Sequence, residues 1–230
     1  MISIIIPTYN EAVIIGQLIS YLQQYGGNNF TEIIVVDSGV DNTLTIAKNL
    51  GAIAVTASIK GRAAQMNQGA VLATGQILYF VHADTLPPKS FVADIEFAVK
   101  SGYDFGRYCT QFDSKSRLLK LNAFFTKLDL YVCYGGDQTL FITQKLFAKI
   151  GGFNAHLKVM EDYDITTRAK ANSKYKIIKK KVVVSARKYE KNSWWQVQKT
   201  NYTIVKMFKS GASQQAIILK YKQLLATNNY

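Results

Sequence analysis

The fold is decided by the first eleven residues, which read Met1-Ile2-Ser3-Ile4-Ile5-Ile6-Pro7-Thr8-Tyr9-Asn10-Glu11. Ile2 to Ile6 form a β-branched run of the kind that fills a strand buried on both faces. The sequence then changes to a polar, turn-forming stretch, Pro7 to Glu11, and a helical-period stretch follows, Glu11 to Tyr25. A buried strand, a polar turn and a helix in this order predict the first unit of an α/β domain.

The same alternation continues through the first ninety residues. Further strands are predicted at Ile33 to Asp37, Ile53 to Thr56 and Ile77 to Val81, with helices at Thr43 to Leu50 and Arg62 to Thr74. The predicted fold class is therefore α/β, with a mostly parallel central sheet and helices on both faces. Ligands bind such sheets beyond the carboxyl ends of the strands. One site is expected where three polar clusters emerge, Pro7 to Glu11, Asp37 to Asp41 and His82 to Asp84.

The composition fits one α/β domain with a full core, because 48% of the 230 residues are hydrophobic. No apolar run approaches the roughly 20 residues that cross a bilayer. The start of the chain lacks the pattern of a secretory signal. Cys109 and Cys133 lack metal-ligand spacing and are expected to be free thiols, mostly buried. These features predict a reducing, cytoplasmic location.

The net charge of +13 arises entirely in the last part of the chain. Residues 1–90 carry 4 basic and 5 acidic side chains, residues 91–167 carry 9 and 9, and residues 168–230 carry 15 and 1. This asymmetry indicates an anionic partner for the C-terminal part, either membrane headgroups or nucleic acid. A solvated lysine-rich face is the plainer explanation.

Residues 191–230 are predicted to be a basic, amphipathic helical extension of a domain at residues 1–190. Apolar residues recur there at helical spacing, at Trp194, Val197, Ile204, Val205 and Phe208, and again from Ile217 to Leu225. Helices of this kind lie in the headgroup layer of anionic membranes, which predicts peripheral attachment to the inner membrane face. The other interpretation is that the apolar stripe packs onto the domain or onto a second subunit.

The residue types in the three strand-end clusters suggest specific chemistry. Asp37 can accept hydrogen bonds from a ribose hydroxyl or a base N–H, although an aspartate here is as often a turn or helix cap. Arg62 begins a helix of small residues after Gly61 and supplies a cation where a diphosphate could lie. His82 and Asp84 alternate along an extended chain and so point to one face, where Asp84 could ligate a divalent ion.

Glu161-Asp162 opens a predicted helix that runs through Ala171, shortly after Gly151-Gly152-Phe153. Acidic residues at this position complement the helix dipole and cap free N–H groups. They could also provide a general base for an incoming hydroxyl. The sequence has neither the Gly-x-Gly-x-x-Gly of a dinucleotide fold after its first strand nor a Gly-Lys-Ser/Thr phosphate loop, which counts against both of those classes.

In combination these motifs resemble the family 2 glycosyltransferases of GT-A fold. The resemblance spans Ile2 to Arg187 and is carried by the segments already quoted, Pro7 to Glu11, Val35-Val36-Asp37-Ser38-Gly39, His82-Ala83-Asp84, Gly151-Gly152-Phe153 and Glu161-Asp162. Four segments are also similar to a small bacterial subgroup, labelled as radical-SAM- and selenium-associated or arsenosugar-biosynthesis glycosyltransferases. They are Gly61 to Asn67, Phe80 to Thr85, Gly136-Asp137-Gln138 and Met160-Glu161-Asp162.

The resemblance implies an inverting enzyme that moves a sugar from a nucleoside-diphosphate sugar, UDP- or GDP-linked, to a hydroxyl acceptor. It places the nucleotide-sugar half at residues 1–100 and the acceptor half at residues 101–190, and a membrane-bound, lipid-linked acceptor would suit the C-terminal helices. The implied nucleotide-binding residues are Pro7, Thr8, Tyr9, Glu11, Asp37, Ser38, Gly61, Arg62, Asn67 and Ala83.

The resemblance also assigns the chemistry. Asp84 would hold Mn²⁺ or Mg²⁺ against the diphosphate, with His82 standing where the family commonly has a first aspartate and counted as a second candidate ligand. Asp162 is the implied base, Glu161 is its neighbour and Asp137 is the second choice. Gly136, Asp137 and Gln138 are implied beside the acceptor pocket, although as bare sequence they also fit a turn before a strand.

Two other classes remain open at this point. A basic nucleic-acid-binding protein with an α/β core would explain the C-terminal charge, although it leaves the ordered acidic clusters unexplained and makes nucleic acid the less favoured partner. A sugar nucleotidyltransferase would require a glycine-rich loop with an arginine and a lysine directly after the first strand. Pro7-Thr8-Tyr9-Asn10-Glu11 stands there instead.

Overall fold

A computed structural model describes residues 1–27, 30–135 and 138–226. The strands are β1 Ile2–Thr8, β2 Phe30–Asp37, β3 Ile53–Thr56, β4 Ile77–Phe80, β5 Thr85–Leu86, β6 Phe105–Phe112, β7 Leu140–Thr143 and β8 Tyr175–Val184. The helices are α1 Ile15–Gly26, α2 Thr43–Asn49, α3 Arg62–Leu72, α4 Phe91–Lys100, α5 Arg117–Phe125, α6 Gln144–Lys149, α7 Glu161–Lys170, α8 Arg187–Glu190, α9 Trp194–Lys209 and α10 Gln214–Leu224. A short 3-10 helix spans Tyr131–Cys133.

The strands form one mixed sheet in the order β3-β2-β1-β4-β7-β6-β8-β5. The four strands predicted from the first ninety residues pair in parallel. The remaining strands make the other part of the sheet mixed, because β7 runs antiparallel to both β4 and β6, and β8 runs parallel to β6 but antiparallel to β5. The predicted α/β class with helices on both faces is confirmed, and the parallel region is its N-terminal half.

Two apolar cores cover the two faces of the sheet, because side chains alternate along each strand. Ile4 and Ile6 of β1 point into the first core with α1 and α4, whereas Ile5 points into the second core with α3, α6 and α7. Gly69 of α3 lies so close to β1 that an added Cβ would be 2.4 Å from the Ile5 side chain. The small residues of α3 therefore let this helix lie almost directly on the central strand.

The strand order reverses direction at β1, since β2 and β3 lie on one side and β4 on the other. Pairing of β1 with β4 ends at Ile5, whereas pairing with β2 continues to Thr8. A crevice forms at such a reversal, beyond the carboxyl ends of the strands. The segments after β1, β2 and β4 all lead to this edge of the sheet.

The apolar stripe of the C-terminal helices is packed against the protein rather than presented to solvent. Ile204 of α9 and Ile217 of α10 are buried in a third cluster with Tyr134, Met160 and Tyr163. Val197 is also buried, and Trp194 packs on the first core. The apolar stripe of residues 191–230 therefore packs within the chain, as the second of the two interpretations predicted. Its apolar side chains are buried there without a lipid. Among the described residues, no helix has the length and apolarity needed to cross a membrane.

Candidate functional site

The ends of β1 and β2 are joined by a buried polar contact. Thr8 Oγ1 donates a hydrogen bond of 2.8 Å to Asp37 Oδ1, and the Gly39 N–H donates one of 3.0 Å to Asp37 Oδ2. Burial raises the pKa of Asp37, and these two hydrogen bonds act against that rise. The carboxylate is thus fixed at the edge of the crevice by β1 and by the turn that contains Ser38.

Gln65 of α3 binds the same two strand ends from the face of the sheet that α3 covers. The sequence did not point to this role. The buried Nε2 of Gln65 donates to the carbonyl oxygens of Thr8 and Val36, each at 2.7 Å. One amide group therefore satisfies two carbonyls where the β1–β2 ladder ends. Its place within the helix of small residues was the only sequence signal for it.

The turns after β1 and β2 fit against each other closely. The Val40 N–H donates to Asn10 Oδ1 at 2.8 Å, and Asn10 has a positive φ of 55°. A Cβ added to Gly39 would lie 2.5 Å from the backbone nitrogen of Asn10. Glycine at position 39 is therefore required by a close approach of two backbones, and this approach shapes the mouth of the crevice.

A second contact between these turns holds Glu11 in place. The Glu11 N–H donates to Thr43 Oγ1 at 2.9 Å, and the Ala12 N–H donates to Asp41 Oδ2 at 3.1 Å. These bonds keep residues 11–14 in a turn, so α1 begins at Ile15 and not at Glu11 as the periodicity predicts. The Glu11 side chain consequently remains beside the crevice.

Arg187, at the start of α8, connects the first and third polar clusters. Its guanidinium donates to the two carboxylate oxygens of Glu11 at 2.8 and 3.1 Å, and Nη2 lies 3.1 Å from Asp84 Oδ2. Sequence reasoning missed this residue, because 176 positions separate it from Glu11 and it appeared as one of fifteen C-terminal cations. Nothing in the local sequence distinguished it from the cations around it.

Arg62, at the first position of α3, forms an ion pair with Glu161 at the first position of α7, with Nη2 2.7 Å from Oε1. Glu161 is 1% exposed, and neither of its oxygens accepts a hydrogen bond of good geometry from the described residues. A buried carboxylate in this state retains acceptor capacity for a bound hydroxyl. The predicted diphosphate arginine is thereby held beside the predicted catalytic pair.

His82 follows β4 on the side of the crevice nearest Arg62. Burial, together with the smaller effect of the Arg62 charge, lowers the pKa of His82 to about 3. The imidazole is therefore neutral at physiological pH. A neutral ring can accept a hydrogen bond or ligate a cation, so the role of second candidate metal ligand remains chemically available to His82.

Asp162 is half-buried in the first turn of α7. The helix begins after Met160, whose positive φ of 74° is unusual for a residue with a side chain. The loop before it is held by Gln214 of α10, whose Oε1 accepts from the Lys158 and Val159 N–H groups at 3.1 and 3.2 Å. The C-terminal helices thus position the start of α7 where the predicted base lies.

Asn67 does not point its amide freely into the crevice. Its Nδ2 donates to the Phe153 carbonyl at 2.8 Å and its Oδ1 accepts from the Phe153 N–H at 2.9 Å. This two-way bond fixes the Gly-Gly-Phe turn against α3, and Gly152 has a positive φ of 67° there. The predicted nucleotide contact of Asn67 stays a prediction, and the observed contacts assign it to holding the turn.

The other predicted residues differ in exposure. Pro7 and Ala83 are buried, Ser38 and Gly61 are half-buried, and Tyr9 is exposed. Gln138 Nε2 donates to the Cys133 carbonyl at 2.5 Å, while its buried Oε1 has no hydrogen-bond partner among the described residues. Gly136 and Asp137 lie outside the described residues.

The carboxylates that the structure brings to this edge do not form a closed metal cage. Within residues 1–27, 30–135 and 138–226, no group of three or more His, Cys, Asp or Glu side chains could hold a metal ion. Asp84 fits a different arrangement, in which Mg²⁺ or Mn²⁺ takes one carboxylate from the protein and further oxygens from substrate phosphates. Arg187 already contacts Asp84 at 3.1 Å, and the Arg62 charge is near enough to His82 to lower its pKa.

Known proteins with this sequence pattern are sugar-transferring enzymes. Residues 3–155 match the family described as Glycosyl transferase family 2. A PGL/p-HBAD biosynthesis glycosyltransferase of Mycobacterium tuberculosis is 30% identical over 194 residues, which cover 75% of this chain and 70% of that protein. The corresponding Mycobacterium bovis protein matches equally well.

Solved structures share the fold. A mannosyltransferase from Pyrobaculum calidifontis, in complex with GDP-Man and Mn²⁺, superposes with a TM-score of 0.70 at 16% identity, covering 91% of this chain and 63% of that one. TarS 1-349 of S. aureus with UDP-GlcNAc gives a TM-score of 0.65 at 20% identity and covers 81% and 58%. The match thus covers about three fifths of each of these two solved chains.

The likeness to these structures confirms the predicted GT-A type of fold. The family match covers well over half of the chain and includes the predicted clusters after β1, β2 and β4. It favours the glycosyltransferase interpretation over the nucleotidyltransferase and nucleic-acid-binding ones. The chain belongs to Glycosyl transferase family 2, a family of enzymes.

Proposed function

We propose that this protein transfers a sugar from a nucleoside-diphosphate sugar to a hydroxyl acceptor, with inversion at the sugar C1. One observation carries the proposal. Two arginines join the polar segments that the sequence pointed to, since Arg187 contacts Glu11 and Asp84 while Arg62 contacts Glu161. Two guanidinium groups at the end of a parallel sheet fit the oxygens of a diphosphate, which they can bind through paired hydrogen bonds.

The nucleoside would lie over the ends of β1 and β2. Asp37 is held by Thr8 and Gly39 with its carboxylate fixed at the crevice. It retains lone pairs that can accept from a ribose hydroxyl or a base N–H. Exposed Tyr9 and buried Pro7 would complete the pocket for the base, and Ser38 and Ala83 would border it.

The transfer step requires a base on the side of the acceptor. Asp162 would accept the proton of the acceptor hydroxyl while its oxygen forms a bond to C1 and the bond from C1 to the diphosphate oxygen breaks. The electron pair of that bond leaves with the nucleoside diphosphate. Glu161 would orient Arg62 toward the leaving group, and Gly136, Asp137 and Gln138 would border the acceptor, with Asp137 as the second candidate base.

Asp84 would be the protein ligand of Mn²⁺ or Mg²⁺, with His82 as a second candidate. A bound divalent ion supplies positive charge that stabilises the leaving diphosphate. The likeness to structures solved with Mn²⁺ supports this assignment. UDP and GDP are the favoured nucleotides, because similar structures hold GDP-Man and UDP-GlcNAc.

The finer assignments rest on sequence similarity. Membership of the small bacterial subgroup is proposed from four segments, Gly61 to Asn67, Phe80 to Thr85, Gly136-Asp137-Gln138 and Met160-Glu161-Asp162. The division into a nucleotide-sugar half at residues 1–100 and an acceptor half at residues 101–190, followed by the extension at residues 191–230, is proposed in the same way. A lipid-linked acceptor and a cytoplasmic location complete the proposal.

A thermal-shift screen tests the proposal directly. The full chain would be heated with UDP, GDP, CDP and TDP and their common sugars, each with and without Mn²⁺. Because a ligand stabilises the state that binds it, one diphosphate is expected to raise the melting temperature in the presence of metal. The matching nucleotide sugar should then be consumed with release of that diphosphate, and no shift with any of them would contradict the proposal.

A further inference from the structure

Helix α5 is apolar on two faces, which is unusual for a helix at the surface of a domain. Leu119 and Ala123 pack into the first core. Leu118, Leu121 and Phe125 recur at the spacing of a second face, and all three side chains are exposed together with Phe124, which is 54% exposed. The described chain leaves 40–54% of each of these four side chains exposed, so the apolar character of the second face needs another explanation.

The exposed apolar surface continues beyond the helix. Leu128, Leu130 and Val132 are also exposed, and Val132 reaches 64%. With the four α5 side chains they make seven large apolar residues exposed between positions 118 and 132. We call these seven the α5 surface. Clustered exposure of this extent marks an interaction site more often than scattered apolar residues do.

The α5 surface stands on an ordered support. The buried Arg107 of β6 donates to the carbonyl oxygens of Thr126 and Leu128, at 2.7 and 3.2 Å. Thr126 Oγ1 in turn accepts from the Thr110 N–H at 2.9 Å. The apolar side chains are therefore presented by a fixed backbone, and their exposure is a property of the fold.

Positive charge surrounds this surface. Lys115, Arg117, Lys120 and Lys127 are exposed, and Lys127 Nζ lies 5.2 Å from the centroid of the Phe124 ring. Asp129 is the one acidic residue between positions 114 and 133, and Lys170 neutralises it at 2.5 Å.

The exposed lysines of β8 add to this charge. Burial raises the pKa of the Cys109 thiol, and the charges of Arg107, Lys127, Lys179 and Lys181 act against it. Lys127 and the two β8 lysines are thus all near enough to Cys109 to influence its thiol.

We propose that the α5 surface docks this protein on an anionic lipid bilayer, with its apolar side chains in the headgroup layer and its basic rim on the phosphates. Large apolar residues flanked by Lys and Arg on an amphipathic helix are what such a layer binds. The inference goes beyond the proposed function and moves membrane docking away from residues 191–230, whose apolar stripe is buried.

A second copy of the chain fits this surface less well. Face-to-face packing about a two-fold axis would bring the basic rims of both copies together, and like charges at that distance oppose association. Anionic lipid instead supplies the opposite charge at the rim and an apolar layer at the centre. Charge complementarity therefore selects the bilayer.

Docking here would place the bilayer at the acceptor side of the crevice. The chain continues from the α5 surface into the 3-10 helix, where the Val132 carbonyl accepts from Tyr163 Oη at 3.1 Å. Tyr163 is the neighbour of Asp162 in α7. An acceptor carried in the membrane would therefore approach the predicted base without leaving the lipid surface.

Vesicle flotation tests the docking surface. The full chain is mixed with phosphatidylcholine vesicles with and without phosphatidylglycerol. Wild-type protein should float only with the anionic vesicles, and Leu121→Ser/Phe124→Ser should weaken binding roughly tenfold or more, since each large apolar side chain adds substantially to partitioning. Lys120→Glu/Lys127→Glu should weaken it as well. The matched control is Phe97→Ser on α4, 70% exposed and outside the α5 surface.

Four results would overturn the inference. The first is that the wild type binds no vesicles, and the second is that the Phe97→Ser control loses as much vesicle binding as Leu121→Ser/Phe124→Ser. The third is that only Trp195→Ser/Lys199→Ser loses vesicle binding. The fourth is that the wild type self-associates without binding vesicles and that Leu121→Ser/Phe124→Ser abolishes this self-association, which would assign the surface to a second copy. Stabilisation by a nucleoside diphosphate, measured on the same variants, reports folding and tests the proposed function separately. Loss of flotation with that stabilisation intact concerns docking alone.

Discussion

Arg187 and Asp84 lie 3.1 Å apart, although 103 positions separate them, and the same guanidinium binds both oxygens of Glu11. One cation from the C-terminal basic region therefore pairs with two carboxylates at the mouth of the crevice. Asp84 is also the carboxylate predicted to ligate a metal ion. A bound diphosphate offers Arg187 an alternative partner, so this contact links donor binding to the state of Asp84.

Arg187→Ala should weaken binding of the nucleoside diphosphate by roughly tenfold or more, because a charge-assisted contact to a phosphate oxygen is lost. Its effect on stability should stay below about 1 kcal/mol, since the side chain is half-exposed and such pairs contribute little. Arg187→Lys should restore the binding only in part, because lysine lacks the planar fork.

Calorimetric titration of the diphosphate, with and without Mn²⁺, measures these effects. The matched control is Lys180→Ala, which removes a surface ion pair with Asp94 far from the crevice. Donor affinity that stays unchanged in Arg187→Ala would exclude Arg187 from the diphosphate site.

Asp84→Asn should remove the dependence of donor binding on divalent metal. Asparagine keeps the shape of the side chain but lacks the charge that Mn²⁺ and Mg²⁺ require of a protein ligand. Thermal shifts with the diphosphate would then be equal with and without metal, and turnover would fall. A variant that retains the full metal-dependent shift would show that another residue holds the ion.

Asp162→Asn and Glu161→Gln should separate the two roles at the start of α7. Asp162→Asn should lower kcat by roughly 10²- to 10⁴-fold with little change in donor affinity, because only the destination of the acceptor proton is removed. Glu161→Gln should mainly raise KM for the donor, because it removes the charge that holds Arg62 at 2.7 Å.

Steady-state kinetics on the identified donor distinguish these outcomes. If Asp162→Asn turned over normally, the assignment of the base would pass to Asp137. If both variants lost donor affinity alone, neither residue would be the base.

Asp37 should make stability depend on pH in a defined direction. Burial raises its pKa in the folded state above the ordinary value of 3.8. The stability that this group contributes is therefore present below pH 3.8 and is lost as the pH rises through the folded-state pKa. Relative to the wild type, Asp37→Asn should gain stability between acid and neutral pH, while donor binding is lost.

Urea unfolding of both proteins across this pH range gives the difference directly. The difference isolates Asp37, because the other titrating groups are common to both chains. A difference that does not change with pH would show that the Asp37 pKa is the same folded and unfolded.

Gly39→Ala should disturb the crevice without touching the core. An added methyl group would lie 2.5 Å from the Asn10 nitrogen, so the turns after β1 and β2 must separate. Gly16→Ala in α1 is the matched control, because its methyl group would meet only side chains, the nearest at 3.3 Å. Donor binding should fall in Gly39→Ala and persist in Gly16→Ala, and equal binding in both would contradict the close approach.

The sequence alone was sufficient for the parallel half of the fold. Buried strands such as Ile2–Thr8 and Ile77–Phe80 are short β-branched or aromatic runs, and local periodicity separates them from the amphipathic helices between them. Because parallel strands end at one edge, the meeting of Thr8 and Asp37 also followed from local pattern. The polar character of this edge could be predicted because polar residues follow directly on apolar runs in the sequence.

The tertiary structure decided what joins these segments. Nothing local to Arg187 distinguishes it from the cations around it, and its contact with Asp84 depends on β8 returning to the sheet beside β5. Tertiary structure likewise decided the hydrogen bonds of Gln65 and Asn67 to distant backbone groups. It also decided which of the two apolar faces of α5 is buried. Periodicity reports which side chains share a face, whereas the partner of that face is set by packing between residues far apart in the chain.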